Sequence, residues 1–101
     1  MKVTYTRTGG FAPMPVSCTL DTTTMPEDEA RELERLVSAG GIMHATSKRV
    51  PAARDVRYHT VQISTDKQPD KEVEWDDISI PAEARPLLQF LQSRAKPMLD
   101  D

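Results

Sequence analysis

The hydrophobic pattern of this chain changes twice from the two-residue repeat of a β-strand to the longer repeat of an α-helix. Residues 2–8 alternate, with Val3 and Tyr5 on one face, and residues 16–22 alternate in the same way. Such alternation predicts strands with one buried face. The segment 9–15 between them is rich in glycine and proline, so we expect a wide antiparallel hairpin.

A helix is predicted after this hairpin. Thr24 and Glu27 have the spacing of a capping box, and Pro26 suits the first turn of a helix. The apolar residues that follow form one stripe at helical spacing, namely Ala30, Leu33, Leu36 and Val37. Gly40 and Gly41 predict the end of the helix, because glycine adopts the left-handed cap conformation readily.

Two more strands are predicted in the second half of the chain. The alternation in residues 55–65 changes phase part-way, so we expect a β-bulge near His59 and Thr60. Residues 71–76 predict a short strand with Trp75 facing inward.

A second helix is predicted near the end of the chain. Since proline is excluded from helix interiors, residues 81–85 are interpreted as a separate turn and Pro86 as the start of the helix. Lys96 and Pro97 are expected to end it. Its apolar stripe consists of Leu87, Leu88, Leu91 and Ala95.

The predicted order of elements is therefore ββαββα. Strands and helices with one apolar face each predict a two-layer α+β fold, with a four-stranded antiparallel sheet and both helices on one face. A chain of 101 residues is too short for two cores, so residues 1–101 are expected to form a single domain.

The composition excludes several classes of protein. Hydrophobic residues make up 38% of the chain, which is close enough to the globular norm to disfavour full disorder. No apolar run is long enough to span a membrane, and the start lacks the apolar block of a signal peptide. The net charge of −3 disfavours a general nucleic-acid binder. The single cysteine cannot form an internal disulfide, and we expect a cytoplasmic monomer.

The sequence offers few groups for catalysis or metal binding. The two histidines, His44 and His59, lack the spacing of metal ligands, and Cys18 falls on the apolar phase of its strand. The adjacent Asp76 and Asp77 predict a turn or a helix cap rather than an acid–base pair, because neighbours on a strand point to opposite faces. We therefore expect no enzyme activity, no cofactor and no metal site.

A local cluster of basic residues lies between the two halves of the chain. It consists of Lys48, Arg49, Arg54 and Arg57. Two interpretations stay open, a solvated connection or a docking surface for an acidic partner.

The segment 9–15 is the most distinctive part of the sequence. Phe11 and Met14 are large apolar residues in a predicted loop, where polar residues are usual. Glycines permit unusual backbone angles before them, and Pro13 and Pro15 stiffen the chain. Either the apolar side chains turn inward and fix the loop to the core, or they form a rigid exposed surface for a partner.

Several of these stretches together resemble a known family. The stretches are Val3-Thr4-Tyr5-Thr6-Arg7-Thr8-Gly9-Gly10-Phe11-Ala12, the helix 25–37 beginning Met-Pro-Glu, Trp75-Asp76-Asp77, and 80–95 with its Arg85-Pro86-Leu87-Leu88 start. They resemble the emfourin family of protealysin inhibitors, small bacterial proteins that inhibit thermolysin-like zinc metallopeptidases. The sequence departs from the family pattern in the hairpin turn 66–71, which lacks glycine, and in the connection 44–54, which is longer and more basic.

The resemblance implies a non-enzymatic inhibitor that occupies the substrate cleft of a thermolysin-like metalloprotease. Such proteases favour bulky apolar residues after the cut bond, so Phe11 and Met14 are the expected wedge. Gly9, Gly10, Ala12 and Pro13 would complete the binding loop. Met1 and Lys2 are expected to lie nearby. This contact would depend on apolar residues rather than on charge, since the net charge is small.

Two other classes of function stay open. The first is a small bacterial protein-interaction module with no protease target. The second is an enzyme, for which the sequence offers no set of converging polar groups.

Overall fold

The computed structural model describes residues 1–9, 14–48 and 56–97. Five strands form one antiparallel sheet in the order β4-β3-β1-β2-β5, and two helices pack on one of its faces. The strands are β1 (Lys2–Gly9), β2 (Val16–Asp21), β3 (Arg57–Ser64), β4 (Lys71–Asp76) and β5 (Lys96–Pro97), and the helices are α1 (Glu27–Ala39) and α2 (Arg85–Gln92). The α+β fold and its antiparallel sheet were therefore predictable from the sequence.

The predicted hairpin is confirmed, since β1 pairs antiparallel with β2 from Lys2 opposite Asp21 to Arg7 opposite Val16. The other edge of β1 pairs with β3, which places β1 at the centre of the sheet. Val3 and Tyr5 are fully buried, as their alternation predicts. Strands and helices share one core, whose main members are Val3, Tyr5, Leu33, Leu36, Val61, Ile63, Val73, Trp75, Leu87, Leu88 and Leu91.

The prediction of four strands is wrong, because β5 adds a fifth strand to the sheet. Lys96 and Pro97 leave the last helix and pair with Ser17 and Val16 of β2. A strand of two residues is too short to show alternation, and proline is tolerated on an edge strand. The sequence marks only the end of the helix at this point.

The predicted bulge near His59 and Thr60 is also wrong. The pairing of β3 with β1 and β4 runs without interruption through both residues. His59 takes the inward position that the apolar pattern leaves vacant, and it is only 2% exposed. The two hydrogen bonds of its imidazole, described below, make this burial tolerable.

Helix α1 begins and ends close to the predicted residues, but the predicted capping box is absent. Pro26 is the N-cap residue and no side chain caps the helix. The Thr24 hydroxyl donates instead to the carbonyl of Asp21. At the other end, Gly41 has a φ of 65°, and the chain turns back so that Ile42 is fully buried.

The last helix is preceded by a separate 3₁₀ turn at Ala82–Ala84, as the proline spacing predicts. Cys18 is half-buried rather than central in the core, and its Sγ donates to the carbonyl of Leu91 at 3.5 Å. Burial raises the pKa of the Cys18 thiol, which keeps it in the unreactive protonated form.

We expect Gly9→Ala to lower the free energy of unfolding by about 1–3 kcal/mol. Gly9 has a φ of 86°, and a Cβ at this position would lie 2.9 Å from the carbonyl oxygen of Val56. Gly41→Ala is the matched control, because its φ is also positive but a Cβ there meets nothing within 4 Å. Urea unfolding should rank Gly9→Ala below Gly41→Ala, and equal stability would show that the contact with Val56 carries no cost.

Candidate functional site

The antiparallel pairing gives the sheet two distinct ends. The residues Gly9, Val16, Arg57 and Asp76 lie at one end, which we call the loop end. The residues Lys2, Asp21, Ser64 and Lys71 lie at the other end, which we call the Met1 end. The connections that carry the predicted binding residues 9–15 and the basic segment before β3 both belong to the loop end.

Two of the predicted loop residues are described, and both lie at the loop end. Gly9 is the last residue of β1, and Met14 lies just before β2 with 39% of its surface exposed. Gly10, Phe11, Ala12 and Pro13 lie outside the described residues. Their role in binding stays a prediction, as does that of Gly9 and Met14.

The expectation that Met1 and Lys2 lie near the binding loop is wrong. Lys2 and Gly9 are the two ends of β1, and a strand of this length separates them by about 24 Å. The Met1 amino group donates to the hydroxyl of Thr22, at the Met1 end of the sheet. Met1 and Lys2 therefore cannot share one compact contact surface with the loop 9–15.

A second exposed apolar residue lies at the loop end, and no sequence pattern predicted it. Ile78 follows β4 and is 65% exposed, and Met14 and Ile78 are the large hydrophobic residues that the described part of the chain exposes. They flank the loop end, since β2 and β4 lie three strand spacings apart, or about 14 Å. Their common feature in the sequence is an apolar residue placed directly beside turn residues.

The turn that carries Ile78 is held in place by Asp76. The Oδ1 atom of Asp76 accepts hydrogen bonds from the backbone N–H groups of Ile78 and Ser79, both at 2.9 Å. The residue is fully buried. This confirms the interpretation of the aspartate pair as a turn, and it fixes the backbone under the exposed isoleucine.

The second aspartate joins the same turn to the core. The Asp77 carboxylate accepts hydrogen bonds from His59 Nε2 at 2.5 Å and from the backbone N–H of Arg57 at 3.0 Å. The other ring nitrogen, Nδ1, lies 2.7 Å from the hydroxyl of the buried Tyr5. A chain of polar contacts thus runs from β1 through β3 to the turn after β4.

Burial raises the pKa of Tyr5 to about 12, so its hydroxyl remains a donor at neutral pH. In the neutral imidazole, Nδ1 then accepts from Tyr5 and Nε2 donates to Asp77. Partial burial acts to raise the pKa of Asp77, but the hydrogen bonds from His59 and Arg57 outweigh it and hold this pKa below its usual value. The carboxylate form of Asp77 is therefore the one that stabilises the turn.

We expect Asp77→Asn to reduce the acid sensitivity of folding. A carboxyl whose pKa is lowered in the folded state stabilises that state above the unfolded pKa, and this contribution is lost as the pH falls through the folded pKa. Between about pH 5 and pH 2.5, the free energy of unfolding of the wild type should fall more steeply than that of Asp77→Asn. Urea unfolding across this range measures both, and Asp28→Asn on exposed α1 should follow the wild type. Parallel curves for wild type and Asp77→Asn would contradict the role given to this carboxylate.

The basic cluster predicted from the sequence is described in part. Lys48 bridges to β4, where its N–H donates to the carbonyl of Glu74 and its carbonyl accepts from the N–H of Asp76. Arg57 begins β3. Arg49 and Arg54 lie outside the described residues. The backbone of Lys48 covers part of the outer edge of β4. The side chain of Lys48 is exposed near the loop end.

The described residues offer neither a metal centre nor a membrane span. In 1–9, 14–48 and 56–97, no three His, Cys, Asp or Glu side chains are grouped so as to hold a metal ion. Neither helix in that part of the chain is long and apolar enough to cross a membrane. What the loop end combines is exposed apolar side chains on a backbone fixed by buried polar groups, an arrangement suited to binding another protein.

The family model of Emfourin matches residues 5–92. The chain belongs to the Emfourin family. The match covers both helices, β2, β3, β4 and the second half of β1, so it includes most of the core. No curated protein and no solved structure matched the chain.

Proposed function

We propose that this emfourin inhibits a thermolysin-like zinc metalloprotease by inserting its loop end into the substrate cleft. Membership of the Emfourin family over residues 5–92 is the observation that carries this proposal. The family suggests a metallopeptidase as partner and a role without catalysis.

The geometry of the loop end supports the same mechanism. Met14 exposes apolar surface just before β2, and Ile78 exposes apolar surface on the turn after β4. Ile78 stands on a turn that Asp76 fixes through two backbone hydrogen bonds. Because a rigid loop loses little conformational entropy on binding, these side chains are suited to act as anchors.

In this mechanism the inhibitor offers no reactive group to the protease. Its apolar side chains fill the pocket that accepts the residue after the cut bond, and the sheet behind them keeps the backbone from rearranging. The hydrogen bonds from His59 and Arg57 to Asp77 hold the turn against the core while the turn contacts the protease. Inhibition would then result from occupation of the cleft.

The proposal is tested by titrating the protein into a panel of thermolysin-like proteases, with protealysin and thermolysin among them. We expect stoichiometric and reversible loss of activity on at least one member, with the inhibitor recovered uncut. A serine protease should keep its activity and serves as the control. Failure to inhibit any member of the panel would reject the proposal and favour an interaction module without a protease target.

A further inference from the structure

The charges of this protein are distributed unevenly between the two ends of the sheet. Five exposed or half-exposed cationic residues lie at the loop end, and we call them the cationic rim: Arg7, Lys48, Arg57, Arg85 and Lys96. The sheet pairing brings them together, since Arg7 is opposite Val16, Arg57 is opposite Gly9 and Lys96 is opposite Ser17. Lys48 bridges to Trp75, next to the end of β4.

Arg85 joins the rim from the helical layer. It begins α2 and lines a surface depression together with His59 and Asp77. The rim therefore surrounds the loop end from the helix side as well as from the sheet.

Within the described residues, no member of the cationic rim forms an ion pair. Arg57 does interact with the Asp77 carboxylate, which accepts from its backbone N–H and whose pKa its charge helps to lower. The carboxylates at the same end are already engaged, because Asp76 is buried under its turn and Asp77 accepts from His59. The side chains of the rim are exposed or half-exposed, so a partner can reach them.

The opposite half of the molecule carries charges of both signs. Helix α1 crosses the sheet on the Met1 side, where Val37 and Ser38 line one depression with Met1 and Gln68. Its arginines Arg31 and Arg35 are matched by glutamates. The remaining charges of this half are mixed, because the amino group of Met1 and the side chains of Lys2, Lys67 and Lys71 lie among six carboxylates, namely Asp21, Asp28, Glu34, Asp66, Asp70 and Glu72. The Met1 end therefore has no comparable group of cations without carboxylates beside them.

We infer that the cationic rim recognises an acidic surface around the apolar pocket of the partner protein. The inference rests on the proposed function, to which it adds the chemistry of the partner: carboxylates surround the cleft that receives the loop end. Exposed charges at the rim of an interface mainly accelerate association, whereas buried apolar anchors slow dissociation.

The first test measures association with the protease that the panel identifies. Arg85→Glu with Lys96→Glu reverses two rim charges, and Arg31→Glu with Lys67→Glu makes the same net change at the Met1 end. Glutamate suits the first turn of α2, so the rim variant should keep the fold. At about 20 mM NaCl, we expect the association rate to fall at least about tenfold for the rim variant and to stay within about twofold for the control. The wild-type rate should fall with added salt, and the rim variant should lose this dependence.

A second test does not depend on any protease. An octaglutamate peptide is titrated into the ¹⁵N-labelled protein, and the amide shifts are mapped along the chain. We expect shifts at the loop end that disappear in the rim variant and persist in the control. If no protease of the panel is inhibited, the proposed function is rejected. The map of amide shifts still tests whether the cationic rim binds carboxylates.

Three results would overturn the inference. Equal association rates for the rim and control variants, with inhibition intact, would reject the inferred acidic surface on the partner but would not contradict the proposed function. Peptide shifts that are absent or confined to α1 would have the same effect. Tighter binding of a short single-stranded DNA than of octaglutamate at the same amides would assign the rim to nucleic acid instead.

Discussion

Replacing Trp75 with alanine is expected to lower the free energy of unfolding by about 3–5 kcal/mol. The indole is 1% exposed and lies in the row of β4 that faces the helices, beside the inward His59 of β3. Its Nε1 atom donates to the carbonyl of Thr46 at 2.9 Å, which fixes the connection after α1. Truncation leaves a large cavity between the sheet and the helical layer. The expected loss is a large part of the roughly 5–15 kcal/mol that stabilises a typical domain.

Urea unfolding followed by circular dichroism measures this loss, because Trp75 is the single tryptophan and its variant has no fluorescent reporter. Trp75→Phe is the matched control, since it keeps most of the apolar volume and removes the five-membered ring with its N–H donor. We expect it to cost less than half as much as Trp75→Ala. A Trp75→Ala variant with an unchanged unfolding midpoint would show that the indole is not a core residue.

The elements that the sequence predicts correctly are those whose burial follows from apolar periodicity. Val3 and Tyr5 in β1, Val73 and Trp75 in β4, and the stripe of α1 all occupy the faces that their spacing indicates. Whether an apolar side chain is buried depends largely on its residue type, so the spacing of apolar residues is enough to predict the buried face of a strand or helix.

The burial of His59 could not be predicted from apolar periodicity. Its burial depends on Tyr5, which lies 54 residues away along the chain, and on Asp77, and no local pattern reveals such partners. The apparent phase change arose because Val56 and Tyr58 have the opposite parity to Val61 and Ile63, yet Val56 and Tyr58 are only half-buried. A buried polar side chain with satisfied hydrogen bonds can take an apolar position without a bulge.

The candidate site was predictable in part for a similar reason. An apolar residue in a loop rich in glycine and proline is visible in the sequence, as for Met14, whereas no comparable run of glycine and proline surrounds Ile78. The error over Met1 was avoidable, because the predicted strand 2–8 already separates its ends by about 20 Å. The grouping of cationic residues at the loop end is invisible in a net charge of −3. It depends on which strand ends the fold brings together.

The largest effect on inhibition is expected from the apolar residues of the loop end. Interfaces concentrate their binding energy in a few buried anchors, each worth about 2 kcal/mol or more on truncation. Phe11→Ala combined with Met14→Ala should therefore weaken inhibition at least about thirtyfold. Ile78→Ala should weaken it about tenfold or more, because its side chain is exposed on a fixed turn.

The inhibition constants are measured on the protease identified by the panel, each beside a circular dichroism melt. Gln68→Ala is the control, since this exposed residue lies at the Met1 end, far from the proposed contact. Because Met14 and Ile78 expose much of their surface, their truncation should leave the melting temperature close to that of the wild type. Unchanged inhibition with a native melt would exclude the loop end as the wedge. Lost inhibition with a collapsed melt would instead show that these side chains support the core, which is the inward interpretation of the loop.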